Sequence, residues 1–334
     1  MDILDRTRNF TVLSPEDVIR LAEEELETSL TSLCRPYKSY INRVFELARE
    51  DGTGIVIKFY RPGRWAKKAL QDEHDFLAEL SAAEIPVIAP LTLRGGKTLG
   101  EYNGAFFTVF PKKGGRNCDE FSEEQWLELG RLISRVHNAG ARRMPEDRIS
   151  LTPGSATRDH VDFIIKGGFV PRDLSGQYAD TTLELIEILC PLFEGKPLIR
   201  IHGDCYSANI IYRPEESFHM IDFDDMAVGP PVHDLWMLLP GYVKDSKREL
   251  NLFIEGYETF RDFDRADLIL IEPLRAMRYI HFTAWCAHQV ADGAFSSLAP
   301  GWGTNAYWQS EINDLRDQMA RIKNLPDPFS SRSL

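Results

Sequence analysis

Between Ile199 and Asp225 the chain reads I-R-I-H-G-D-C-Y-S-A-N-I-I-Y, then R-P-E-E-S, then F-H-M-I-D-F-D-D. Short apolar runs flank each polar group, so the stretch predicts strand, loop, strand, turn and strand. The run from Asn209 to Tyr212 and the run from Phe218 to Asp222 predict a hairpin about the polar break. A hairpin brings Asn209 and Asp222 to the same end of two paired strands. One carboxylate, Asp204, can orient a hydroxyl. An amide and a second carboxylate, Asn209 and Asp222, can share a hard cation that prefers oxygen ligands.

Phosphoryl transfer asks for little more: an in-line nucleophile, metal ions and a rigid frame. Protein kinases carry H-R-D-x-x-x-x-N, whose Asp accepts the substrate hydroxyl proton and whose Asn reaches a metal. Here His202-Gly203-Asp204 takes the first three places and Asn209 follows Asp204 by five residues. Gly203 stands where eukaryotic protein kinases have Arg, which removes the side chain that reads an activation-loop phosphate. Asp and Asn are common turn residues, and each taken singly reads as structural. Together, between apolar strands, they read as a phosphoryl-transfer site with Asp204 and Asp222 catalytic and Asn209 and Asp222 holding Mg²⁺. Asp224 and Asp225 read either as outer support for the metal or as solvated loop carboxylates. Asp234 opens an apolar helix, where a carboxylate is favoured by the helix dipole or fixes the catalytic-loop backbone.

The chain has 334 residues, enough for a large core and two lobes. A formal charge of −12 excludes non-specific binding to nucleic acid or anionic membranes, which needs a positive surface. The five cysteines, Cys34, Cys118, Cys190, Cys205 and Cys286, form no C-x-x-C pair and no dense framework. Met1 to Asp5 lacks the basic-then-apolar pattern of a signal peptide, and no apolar run reaches transmembrane length. The expected location is cytoplasmic, without membrane insertion.

The expected fold is α+β and protein kinase-like: a small antiparallel-sheet N-lobe and a larger, mainly helical C-lobe. Ser14-Pro15-Glu16-Asp17 predicts a helix start. Strands are expected at Tyr40 to Ala48, Gly54 to Tyr60, Pro86 to Leu93 and Ala105 to Phe110, with a helix from Trp65 to Ala82. Residues 1–110 form the N-lobe on this reading, and P-K-K-G-G-R at 111–116 is the linker. Residues 117–326 form the C-lobe, and 327–334 a loose tail. C-lobe helices are expected at Glu123 to Ala139, Arg158 to Lys166, Asp180 to Phe193, Val232 to Leu238, Ser246 to Arg261, Ala266 to Gln289 and Asn305 to Ile322.

Lys58 lies in I-V-I-K-F-Y. A lysine in so apolar a strand needs a partner for its tip or snorkels to the sheet edge. Beside the Asp204 motif the partner is ATP phosphate, with Glu73 as the first candidate to orient the lysine and Glu79 as the second. No G-x-G-x-x-G precedes Lys58. The turn from Pro36 to Arg43 takes that place, with Ser39 and backbone N–H groups toward phosphate. The backbone of Phe107 to Phe110, centred on Val109, is expected to meet the adenine edge.

The chain resembles the aminoglycoside phosphotransferase and choline kinase family of kinase-like folds. The resemblance is carried by S-Y-x-N-R-V at Ser39, V-x-K-F-Y-R-P-x-R-W at Val56, Glu73-His74 and His202-Gly203-Asp204-Cys205. Further along it rests on Gly229-Pro230 with Asp234-Leu235-Trp236 and on the run Ile271 to Arg278. These motifs span nearly the whole chain and are similar to a bacterial, protein-phosphorylating branch of that family. The resemblance implies a monomeric, cytoplasmic serine/threonine protein kinase that uses ATP and Mg²⁺ and acts in envelope stress. By it, Asp204 is the proton acceptor, Asn209 and Asp222 hold Mg²⁺ and Ser39 contacts ATP. Tyr206, Ala208 and Phe223 depart from the usual His, Gly and Leu.

Two other readings use the same residues. One is a small-molecule kinase acting on an amino alcohol, sugar or aminoglycoside, for which an aromatic cage among Trp236, Tyr242, Tyr257, Tyr279, Phe282, Trp285 and Trp302 would argue. The plain reading of those rings is helix core. The other is an inactive pseudokinase adaptor, against which intact Lys58, Asp204, Asn209 and Asp222 argue.

Overall fold

The computed structural model describes residues 13–39, 41–118, 120–290, 295 and 299–325. The expected signal-free N-terminus, the start of the expected strand at Tyr40 and the tail 327–334 lie outside the described residues. The chain groups into two compact units. One holds the chain up to Arg148, with His202–Met226 and Arg248–Arg261; the other holds Ile149–Ile201, Ala227–Lys247 and the chain from Asp262.

The first unit opens with α1 (Pro15–Leu26), capped by the Ser14 side chain, which accepts from the Asp17 N–H at 3.1 Å. A five-stranded antiparallel sheet follows, in the order β1-β2-β3-β5-β4: β1 (Leu30–Pro36), β2 (Arg43–Arg49), β3 (Gly54–Phe59), β4 (Gly100–Tyr102) and β5 (Ala105–Pro111). Alternation along β3 sets the whole site. Ile55, Ile57 and Phe59 enter a core shared with Val18, Leu21 and Ala22 of α1. Val56 and Lys58 therefore face the other way.

Helix α2 (Lys67–Ala82) is the helix expected from Trp65. The segment Pro86 to Leu93 forms no sheet strand, contrary to expectation. Pro86 and Pro90 lack the N–H groups a ladder needs, and the segment makes single contacts instead, such as Leu91 N–H to the Val109 carbonyl at 2.7 Å. Edge strands β1 and β4 went unread. β1, L-T-S-L-C-R-P, shows no clear apolar alternation and ends in Pro, and β4 is three residues long.

Helix α3 (Glu123–Gly140) carries a full capping box between Ser122 and Gln125. Later in the chain α7 (Lys247–Tyr257) joins the same unit. A Cβ on Gly130 of α3 would strike the Phe253 carbonyl, and one on Gly256 the Leu127 carbonyl, so the two glycines let α3 and α7 approach backbone to backbone. Deep in the same unit His137 Nδ1 and the Tyr257 hydroxyl are 2.9 Å apart.

The second unit is mainly helical: α4 (Arg158–Lys166), α5 (Arg172–Phe193), α6 (Val232–Trp236), α8 (Ile271–Gln289) and α9 (Asn305–Lys323). Strand β6 (Ile199–Ile201) pairs antiparallel with β9 (Ala227–Gly229). Helix α5 starts earlier than the expected Asp180, because the helix runs through Gly176 despite its low propensity. The fully buried Tyr178 and Trp308 meet edge to face at 5.2 Å between α5 and α9. No helix among the described residues is long and apolar enough to cross a membrane.

Burial pushes the Glu311 carboxyl of α9 up to about 7, against the Thr283 hydroxyl that donates to it at 2.9 Å. A carboxyl raised on folding stabilises most below its unfolded pKa and loses that contribution as pH rises through 7. Glu311→Gln keeps the acceptor and cannot ionise. It is expected to match the parent at about pH 4 and to exceed it by up to about 3 kcal/mol at about pH 8.5. Thermal unfolding at the two pH values checks this, and a variant no more stable at the higher pH would refute it.

Candidate active site

The first unit brings together most of the residues singled out in the sequence. Strand β7 (Ile210–Arg213) and strand β8 (Ser217–Met220) form the expected hairpin, with Ile210 opposite Met220. Asn209 precedes one strand and Asp222 follows the other. The Ile221 N–H donates to the Asn209 carbonyl at 3.0 Å. His202 holds the same residue from the other side: its Nε2 is 2.8 Å from the Ile221 carbonyl. The Asp204 N–H donates to His202 Nδ1 at 3.3 Å, which makes Nε2 the protonated nitrogen. One neutral histidine thus ties the Asp204 loop to the residue before Asp222.

Asn209 Nδ2 donates to the Asp204 carbonyl at 2.9 Å and to Asp204 Oδ2 at 3.3 Å, fixing that carboxylate relative to the hairpin. Gly203 has φ +84°, a conformation that opposes any side chain, so Gly in place of Arg has a backbone cause. Asp222 itself is left-handed at φ 59°, ψ 64°. A non-glycine residue held there costs energy and marks a position the surroundings impose. Phe223 packs edge to face on Phe76 of α2 at 5.9 Å and tilted on the His202 ring at 4.4 Å, which joins α2 to the segment around Asp222.

Lys58 is buried at 7% exposure. Its Nζ lies 2.8 Å from Asp222 Oδ1 and 3.5 Å from Asp224 Oδ1. Burial works against its charge, but Asp222, Asp224 and Glu73 outweigh it and raise the ammonium above its ordinary value. The expected pairing with Glu73 is not the ion pair formed. Glu73 Oε2 takes Arg148 Nη2 at 3.1 Å, with both side chains essentially inaccessible, and Glu73 Oε1 accepts from the Tyr60 hydroxyl at 3.3 Å. A fully buried guanidinium demands a carboxylate more strongly than Lys58, which already has two. Burial pushes the Glu73 carboxyl up to about 7 against the pull of Lys58. Glu79 lies apart from these groups, paired with Arg143 at 3.1 Å.

A cleft of about 510 Å³ opens among these groups. Val44, Val56, Ile88, Phe110, Ile211 and Ile221 give it an apolar part, and Lys38, Ser39, Lys58, Glu73 and Asp222 a polar one. Val109 does not line it. Val109 lies opposite Ile57 in the β3–β5 register and so faces the core with it. The cleft face of β5 belongs to Thr108 and Phe110, opposite Lys58 and Val56. Because the Lys112 N–H donates to the Gly54 carbonyl at 3.0 Å, alternation turns the Pro111 carbonyl away from β3. The Val109 carbonyl is turned away from β3 by the same alternation but already accepts from the Leu91 N–H at 2.7 Å. The main chain left able to meet a ligand edge is therefore that of Pro111 and beyond, two residues past the expected position.

Sequence reading also left Asn42, Arg64 and Arg148 without a role. Arg64 pairs with Asp224 and, at 2.5 Å, with Asp225. Their neighbours, R-P-G before Arg64 and P-E-D before Arg148, give no signal, and their partners lie too far along the chain to be read from spacing.

An antiparallel sheet with two helices, followed by an H-G-D loop and a hairpin that brings Asn209 and Asp222 to neighbouring strand ends, defines a kinase-like phosphotransferase. Residues 34–269 match the phosphotransferase enzyme family, and the chain belongs to it. It is 33% identical over 321 residues to stress response kinase A of Escherichia coli (strain K12), across 95% of this chain and 96% of that one. It is 32% identical over 326 residues to serine/threonine protein kinase RdoA of Salmonella typhimurium, across 96% and 97%. Among solved structures, amicoumacin kinase hAmiN in complex with AMP-PNP, Ca²⁺ and Ami aligns with a TM-score of 0.74 at 18% identity, covering 92% of this chain and 94% of that one. A microcompartment-associated aminopropanol kinase aligns at 0.65 and 15% identity, covering 91% and 98%. These two structures share the kinase-like fold.

Proposed function

We propose that this protein transfers the γ-phosphoryl group of ATP, with Mg²⁺, to serine or threonine hydroxyls of other proteins. One observation carries the acceptor class: identity of about one third, over nearly the whole of both chains, to kinases named for stress response and for serine/threonine phosphorylation. The donor class rests on the cleft. Its volume lies within the roughly 300–1,000 Å³ of small-molecule sites, its apolar part suits a purine, and Lys38, Ser39 and Lys58 suit phosphates. Residues 1–110, 111–116 and 117–326 would act as small lobe, linker and large lobe. A cytoplasmic monomer serving a bacterial stress response completes the proposal.

The residues fit a magnesium nucleotide. Asn209 and Asp222 are oxygen donors brought to neighbouring strand ends, as a hard cation requires. Bound there, the metal would neutralise charge on the transferred phosphoryl group. Lys58 would hold phosphate oxygens at the cost of its present contact with Asp222. Asp204, oriented by Asn209, would accept the acceptor hydroxyl proton. The Pro111 carbonyl and the following main chain would meet the base.

The small-molecule alternative draws on the shared fold of the amicoumacin and aminopropanol kinases. An aromatic cage is already filled in part: Arg275 lies over Trp236 at 5.0 Å and over Tyr242 at 4.8 Å, and Arg321 lies over Tyr242 at 4.9 Å. Labelled ATP offered with a generic protein substrate, and separately with amino alcohols, sugars and aminoglycosides, decides between them. Label is expected in protein serine and threonine. Efficient labelling of small molecules alone would refute the protein-kinase reading.

A further inference from the structure

Tyr37, Lys38, Ser39 and Asn42 line the cleft, and the stretch from Tyr37 to Asn42 has no glycine. A glycine-rich loop can bring its backbone close to phosphates, whereas a loop of ordinary residues has to be held in place by its side chains. Asn42 is 5% exposed and bonds on both sides. Its Oδ1 accepts from the Arg61 N–H at 3.2 Å, and its Nδ2 donates to Asp224 Oδ2 at 3.2 Å. Arg61 Nε donates to the Ile41 carbonyl at 3.1 Å. Ile41 and Asn42 are thereby pinned to the exit of β3 and to the segment after Asp222.

Asp224 is the centre of this arrangement. It is 2% exposed, pairs with Arg64 and faces Lys58 at 3.5 Å, while its carbonyl accepts from Arg148 Nη1 at 2.6 Å. Arg148 Nε continues to the Ala69 carbonyl of α2 at 2.8 Å. Asp224 thus joins Asn42, the segment after β3 and, through Arg148, helix α2. A solvated loop carboxylate would show none of these bonds.

We propose that Asp224 is a positioning residue that, through Asn42 and Arg64, locks the glycine-free turn over the nucleotide phosphates and in register with Asp222. The lock replaces the close backbone contact of a glycine loop with side-chain anchors. Its relevance to phosphates rests on the kinase reading above; its mechanics do not.

Two variants test it, Asn42→Ala at the turn and Asp224→Ala at the hub, beside Arg143→Ala, which removes exposed ion pairs on α2. Amide exchange of nucleotide-free protein over residues 37–43 is expected to rise about tenfold in both variants and to stay at the parent value in the control. The KM for MgATP and the Kd for MgADP are expected to rise about tenfold, with kcat within about threefold. The double variant is expected to be no worse than the more affected single one, because both cut the same link. Unchanged exchange in Asn42→Ala, or additive losses in the double variant, would overturn the lock. If Asp224→Ala fails to fold, Asn42→Ala alone still decides through exchange and Kd. A parent protein that binds no MgADP, with the exchange result as expected, would sink the kinase reading and leave the lock standing.

Discussion

An Asp204→Asn enzyme is expected to transfer phosphate about 10²–10⁴-fold more slowly than the parent, the usual contribution of a positioned general base. That corresponds to roughly 3–5 kcal/mol of transition-state stabilisation. The amide is nearly the shape of the carboxylate, so the contact with Asn209 Nδ2 survives in the isostere's carbonyl oxygen. The backbone bonds around it, Asp204 N–H to His202 and Tyr206 N–H to the Asp204 carbonyl at 3.0 Å, involve no side-chain atom of Asp204. The fold and the nucleotide cleft, which Asp204 does not line, should therefore be untouched. MgADP affinity within about twofold of the parent, with turnover lost, is the expected pair of results. Undiminished transfer would remove Asp204 from the mechanism. A parallel loss of nucleotide affinity would show a positioning role instead.

That the sequence could place Asp204 beside Asn209 and the hairpin follows from locality. The H-G-D loop, Asn209 and the hairpin to Asp222 lie within one short stretch, and strand pairing at short range converts spacing directly into distance. Lys58 was readable for a related reason: period-two alternation places it opposite Ile55 and Ile57 whatever the rest of the sheet does. Val109 shows where such reasoning stops. Strand β5 was recognised, but which of its faces meets the cleft depends on register with β3, and a one-residue difference exchanges core for site. Glu73 fails differently. It was placed on the correct helix and lines the cleft, yet its charge partner is Arg148, which the sequence offered no reason to bring there. Asp224 was left open between metal support and solvent. Its partners Asn42, Arg64 and Lys58 all come from the N-terminal part of the chain, and only the folded sheet gathers them.

Arg148→Met is expected to cost about 3–5 kcal/mol of stability, the usual price of leaving one partner of a buried ion pair alone. Arg148 is fully buried beneath Trp65, 4.5 Å from that ring. Its guanidinium serves the Glu73 carboxylate and the carbonyls of Ala69, Asp224 and Met226. Methionine fills much of the volume but donates nothing, so a carboxylate and three carbonyls lose their donor in a dry place. Glu73 can answer by taking a proton, since burial already pushes it up to about 7 and Arg148 is one of the groups opposing that rise. Without Arg148 its pKa climbs further, and the stability tied to it is present at low pH and lost as pH rises through that value. Denaturant midpoints should therefore show a smaller loss at about pH 5.5 than at about pH 8.5. Adding Glu73→Gln should recover part of the loss at the higher pH, because the amide removes the charge and keeps an acceptor for the Tyr60 hydroxyl. A variant within about 1 kcal/mol of the parent at both pH values would mean that Glu73 and the three carbonyls find other partners, and that the link from α2 to the segment around Asp224 does not depend on this arginine.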